Sequence, residues 1–127
     1  RTNINTDHYV ALGASLRRNG LPLQADLMLG LPGQTVESFC RDLQFLMSHE
    51  IPGRIWVTQL LPNSPMNDPE YRDEFAIVAD EGGIVVSSST FSAEDRIEMK
   101  RIRHAHAVFD RFGLIRHILR YLLHLKR

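Results

Sequence analysis

Ala25-Asp26-Leu27-Met28-Leu29-Gly30-Leu31-Pro32-Gly33-Gln34-Thr35 is an apolar run that stops in a Gly-Pro-Gly turn and restarts at a helix cap. Leu27, Met28 and Leu29 follow one another with almost no alternation, which is how a strand covered on both faces of a parallel sheet reads. Pro32 presets φ at the second position of a tight turn, and Gly33 accepts positive φ at the third. Thr35 is an N-cap candidate, with Val36, Phe39, Cys40, Leu43 and Met47 recurring at helical spacing behind it. The stretch predicts strand, tight turn and helix, a junction that sets backbone N–H groups at the carboxyl end of a strand, where α/β proteins bind ligands. A P-loop does not fit, because both its spacing and its lysine are missing. A plain strand-to-helix connection without a ligand explains the same turn residues.

Working outward, Asn5-Thr6-Asp7 offers caps, and Tyr9, Val10, Leu12 and Leu16 give an apolar stripe that ends at Arg17-Arg18-Asn19-Gly20. Leu21-Pro22 turns that helix into a strand from Leu23 to Leu29. Downstream, a helix from Val36 to about His49 meets the breaker Ile51-Pro52-Gly53, and Arg54 to Leu60 forms the next strand. Strand, helix and strand at this spacing make a right-handed parallel βαβ unit. Pro62, Pro65 and Pro69 then shape a long loop, followed by a short helical or irregular piece around Tyr71 to Ala79. Gly82-Gly83 resets the chain before a third strand candidate from Ile84 to Ser88. Ser92, with Asp95 three residues later, opens a strong helix whose expected buried stripe is Ile102, Ala105, Phe109 and Phe112, closed by Gly113. A last helix, Leu114 to about Leu125, carries Leu and Ile on more than one face, so it is packed on two sides or used by a partner.

The 127 residues are 43% hydrophobic and 24% charged, enough for one core. The formal net charge is zero, so no global field argues for nucleic acid or a membrane as partner. No apolar run reaches the length of a transmembrane segment, and a single cysteine closes no internal disulfide, which fits a reducing cytoplasm. The chain opens on Arg1, and a closed (β/α)₈ barrel takes about 250 residues, so the expectation is the latter part of something longer.

Asp26 to Thr35 resembles the fifth-strand signature of radical S-adenosylmethionine (radical SAM) enzymes, in the branch of the oxygen-independent coproporphyrinogen dehydrogenases and the cobalamin-binding proteins. Ile55-Trp56-Val57-Thr58-Gln59-Leu60-Leu61-Pro62-Asn63-Ser64-Pro65-Met66 is similar to the sixth strand and its following loop, one crossover later. The resemblance covers roughly the first half of the chain. It implies the C-terminal part of a (β/α) partial barrel over residues 1–91, with two or three mostly parallel strands, and a helical extension over 92–127. It further implies a parent that cleaves S-adenosylmethionine to a 5′-deoxyadenosyl radical on a 4Fe-4S cluster and then acts on a small-molecule substrate as an oxidoreductase, cyclase or methyltransferase, with cobalamin in the parent as a further implication.

The cluster loop of three cysteines in CxxxCxxC spacing is missing, and Cys40 lies on an apolar helical stripe, so the resemblance puts the cluster ligands outside this chain and leaves the fragment alone inactive. By the same resemblance Arg1 falls where an arginine reaches the cofactor's carboxylate or ribose, and Asp26 where an acidic residue accepts ribose hydroxyls. Met28 and Gly30 would line the adenine side, Gln59 its edge, and Asn63 and Ser64 the substrate side. Independently of family, a carboxylate within a buried strand needs a partner, which a salt bridge would also supply. Gln59 has its own plainer reading as a hydrogen bond to a neighbouring loop. The histidines read as no metal site: His104 and His106 point to different sides of their helix, and His117 and His124 share a face two turns apart, where they read as solvated. No acid follows Asp110, whereas Arg111, Arg116, Arg120, Lys126 and Arg127 accumulate, so the last helix is basic and amphipathic.

Two other classes explain the same residues. One is a non-catalytic interaction domain docking through the basic helix; the other is a phosphate-binding module at the Gly30–Thr35 turn. A bare edge on the Leu23–Leu29 strand predicts a homodimer through that edge.

Overall fold

The structure, a computed structural model, describes residues 6–111 and 115–125. The order is α1 (Thr6–Arg18), β1 (Ala25–Leu29), α2 (Val36–Ser48), β2 (Gly53–Val57), a 3₁₀ turn (Pro65–Asn67), α3 (Pro69–Glu74), β3 (Val78–Ala79), β4 (Val85–Ser87), α4 (Ala93–His106), a π-helical turn (Ala107–Arg111) and α5 (Arg116–Leu125). β1 and β2 pair in parallel, Ala25 opposite Gly53 through Leu29 opposite Val57, with α2 as the crossover. The βαβ unit predicted from the sequence is present, and the α/β architecture is compatible with a piece of a partial barrel.

The core sits on one side of this pair. Leu29 and Ile55 pack with Phe39 and Leu43 of α2, and Met99 of α4 joins the same cluster with Val85 and Phe91. Leu29, Phe39 and Met99 are fully buried. Ala25 forms a second cluster with Leu46 and Ile51, against which Tyr9 of α1 and Phe45 pack.

The expectation of a strand covered on both faces is corrected. Asp26, Arg54 and Trp56 are exposed and Met28 is half-buried, while Ala25, Leu29, Gly53 and Ile55 are buried. Side chains alternate across a strand, and helices cover only one face of this pair, so every second residue is left open.

The third strand candidate is present as β4, and its pairing is antiparallel. β4 runs antiparallel to β3, and the ribbon attaches to the end of β2 by the antiparallel bridge Gln59–Ile84. The reason is local. Asp80 accepts from Gly82 N–H (3.0 Å) and Ile84 N–H (2.9 Å) through one carboxylate oxygen, and Gly83 takes φ +77°. So short a turn returns the chain antiparallel; a parallel neighbour needs a crossover of a dozen residues or more.

In α4 the buried stripe is Met99 and His106 with Ile102 partly buried, whereas Ala105 and Phe109 are exposed. The Ser92–Asp95 capping box starts this helix as the sequence predicts. The stripe is rotated from the expected one because Met99, Ile102 and His106 share a helical face, and His106 lies against Gly53, whose added Cβ would be 3.8 Å from its ring. Phe112, Gly113 and Leu114 lie outside the described residues.

Candidate functional site

The Gly30–Thr35 junction is tied by hydrogen bonds on both sides. Gly30 has φ +89° and Gly33 φ +86°, and Gln34 N–H donates to the Leu31 carbonyl at 3.0 Å, which is the predicted tight turn. The side chain of Gln34 folds back over it, accepting from Gly30 N–H at 2.7 Å and donating to the Met28 carbonyl at 3.1 Å. Thr90 closes the other side: its hydroxyl accepts from Gly33 N–H (3.1 Å) and donates to the Gln34 carbonyl (2.9 Å). Thr35 and Ser38 form a reciprocal capping box at the start of α2.

These bonds bear on the phosphate-binding alternative. The N–H groups of Gly30, Gly33, Gln34, Thr35 and Ser38 all have partners inside the chain. Glu37 brings a carboxylate of its own to the helix start, held below the usual range by its backbone N–H and the Thr35 hydroxyl. A phosphate cradle needs donors pointing outward, and these five are turned inward, where they position β1 against α2.

Beside the junction lies the open face of the β-pair. Asp26 stands next to Arg54, and Met28 next to Trp56, in direct register. Asp26 is exposed, accepts a hydrogen bond from Gln24 Nε2 at 3.2 Å and forms no ion pair among the described residues. Both the buried carboxylate and the salt bridge expected from the sequence are therefore corrected: the acid projects from the uncovered face, where water satisfies it. Trp56 is half exposed. Where this face reaches the carboxyl ends of the strands it closes over. Thr58 is 1% exposed, and its hydroxyl oxygen has no hydrogen-bond partner among the described residues. A Cβ added to Gly30 would be 4.0 Å from Thr58 Cβ and 3.6 Å from the Phe91 ring.

Along the outer edge of β1 a cavity of about 310 Å³ opens between α1 and α2, lined by Tyr9, Ala25, Asp26, Leu27, Asp42 and Phe45 among others. Burial pushes the Asp42 carboxyl above its usual range, with Arg41 opposing.

The remaining candidates scatter. Gln59 is exposed and donates through Nε2 to the Gly82 carbonyl at 2.8 Å, the loop bond that was its plainer reading. Ser64 caps the 3₁₀ turn, its hydroxyl accepting from Met66 N–H at 3.3 Å, and Asn63 is exposed on the turn before it. Arg1 lies outside the described residues. Cys40 is half-buried, and desolvation, then Glu37 and Glu98, push its thiol up, the reverse of what a thiolate ligand needs. Among the described residues no group of three or more His, Cys, Asp or Glu could hold a metal ion. A 4Fe-4S cluster thus finds no fitting donor set here.

Gln34, Thr58, Arg54 and Trp56 were not singled out from the sequence. The alternation of Arg54, Trp56 and Thr58 with Gly53, Ile55 and Val57 carried the signal for three of them; nothing local marked Gln34.

No family model matches the chain. Over 80 residues, 61% of its length, it is 31% identical to the cobalamin-dependent radical SAM methyltransferase TokK of Streptomyces tokunonensis. The likeness is to a radical SAM protein. The chain spans 12% of that relative's length. No helix of the described residues is long and apolar enough to cross a membrane.

Proposed function

We propose that this chain is a barrel segment of a radical SAM enzyme, and that the open face of its β-pair borders the adenosyl part of S-adenosylmethionine. The observation that carries the reading is one continuous face along β1–β2. An uncovered strand face bears Asp26, Met28 and Trp56, and it runs up to the orphaned Thr58 hydroxyl and the stapled turn at Gly30. The likeness to a radical SAM methyltransferase supports it.

S-adenosylmethionine fits these residues chemically. Asp26 has carboxylate oxygens free to accept from ribose hydroxyls, Met28 offers an apolar wall to a flat ring, and Gln59 keeps its Oε1 to accept from an exocyclic amine. Gly30 keeps side-chain bulk away from the rim. When bound with its cluster, the cofactor supplies a 5′-deoxyadenosyl radical; this chain's residues bind, orient and shield the adenosyl group. The cluster, a cobalamin and Arg1's role belong to the wider parent in this reading, as do Asn63 and Ser64 toward substrate.

The test is anaerobic reconstitution of the full-length polypeptide with iron and sulfide, followed by assay for 5′-deoxyadenosine. Formation of 5′-deoxyadenosine, reduced at least about tenfold by Asp26→Ala, is the expected result, as one charge-accepting hydrogen-bond set is lost. A reconstituted protein that makes none, or an upstream coding region without CxxxCxxC, sinks the reading.

A further inference from the structure

The helix α5 leaves its apolar side uncovered. Ile118, Tyr121, Leu122 and Leu125 are 59%, 64%, 49% and 65% exposed. Their spacing, i, i+3, i+4 and i+7, puts them on one face of a ten-residue helix about 15 Å long. Scattered exposed leucines need no explanation, but four large side chains in one stripe do. Val108 and Phe109, each 40% exposed on the preceding π-helical turn, extend the apolar surface.

Charge indicates what covers this stripe. The chain has fifteen basic and fifteen acidic side chains, and five of the basic ones with none of the acids fall after Asp110. The rest of the chain therefore carries an excess of five negative charges, and the chain is strongly dipolar. A second copy meeting this face would bring two basic segments together. A nucleic acid would not engage a stripe of Ile, Leu and Tyr. An apolar face on a short basic helix, with a tyrosine able to sit at headgroup level, matches the interface of an anionic bilayer.

We infer that residues 116–125 form a surface-lying membrane contact, which buries the Ile118–Leu125 stripe at the headgroup boundary of an anionic lipid leaflet. The basic residues of the segment supply the attraction, and the acidic body of the chain is held on the water side. This inference is independent of the S-adenosylmethionine reading, since it uses no residue of the β-pair.

Flotation of the 127-residue chain with vesicles tests it, using phosphatidylcholine alone and an equal mixture of phosphatidylcholine and phosphatidylglycerol. The chain should float with the mixed vesicles, and much less with the neutral ones or at high salt. Arg120→Gln should weaken partitioning about fivefold. The Ile118→Asp, Leu122→Asp double variant should lower it by more than about tenfold; both side chains are about half exposed or more, and circular dichroism would verify that the fold stays intact. Trp56 emission should not shift, because the β-pair is not the contact. Equal binding to neutral vesicles, binding that survives the double variant, a shifted Trp56, or self-association through the stripe with no vesicle binding would each overturn the inference.

Discussion

The two faces of the β1–β2 pair are built from the same ten residues and behave as opposites. On one, Leu29 and Ile55 meet Phe39 and Leu43 in a closed core; on the other, Asp26, Arg54 and Trp56 stand in the open. The closed face holds the fold together, and the open one contributes little to it. Trp56, half exposed on β2, stands on the uncovered face. The contrast separates residues that specify the structure from residues available to bind.

Substitutions can break that contrast. Phe39→Ala should cost about 3–5 kcal/mol in chemical denaturation, the range for emptying an aromatic site in a core. A loss below about 1 kcal/mol would mean the covered face is not the core. Gln34→Ala should cost about 1–3 kcal/mol, because it strips the partner from the buried Gly30 N–H and frees the Met28 carbonyl. Trp56→Ala should move the midpoint by about 1 kcal/mol or less despite the larger side chain removed. A large loss there would show that the open face is covered in solution.

Thr58→Val sharpens the comparison where the faces meet. Removing an unpartnered buried hydroxyl should leave stability unchanged or slightly raised. If that hydroxyl serves a ligand, the variant should lose S-adenosylmethionine affinity in the full-length protein without unfolding. A drop in stability instead would assign the hydroxyl a structural partner.

Acid titration distinguishes two carboxylates near α2. Glu37 is depressed in the folded chain, so its stabilisation is present above the ordinary carboxylate range and is lost as pH falls through its folded value. Asp42 is raised, so the folded state holds its proton longer, and stability declines as pH climbs from the unfolded to the folded value. Glu37→Gln should flatten the acid limb, and Asp42→Asn should raise stability at neutral pH. The reverse pattern in a pH series of melts would refute both environments.

The smallest effect concerns the free edge of β1. In a parallel ladder Asp26 and Met28 direct their backbone groups outward, and Gln34 already occupies the Met28 carbonyl. Pairing with a second copy, the expected consequence of an open edge, would set two Asp26 carboxylates on one face. Small-angle scattering should find a weak dimer that tightens in Asp26→Asn; a monomer in both removes edge pairing.

Local chemistry made much of this legible in advance. Pro32-Gly33 dictated its turn, Thr35 and Ser92 their caps, and the breaker at Ile51–Gly53 the crossover, because each acts within a few residues of itself. The candidate site was legible only as a location. Asp26 was expected in a buried strand and stands in the open, since three consecutive apolar residues cannot reveal which of them another element will cover.

By itself the sequence determined the βαβ unit, the tight turn at Pro32-Gly33, both helix caps and the basic last helix, all of which depend on backbone preference and spacing along one chain. Tertiary structure alone decided that the second face of the sheet stays open and that the Ile118–Leu125 stripe meets solvent. Burial is a property of what packs alongside, and a residue's neighbours in space are not written in its neighbours along the chain.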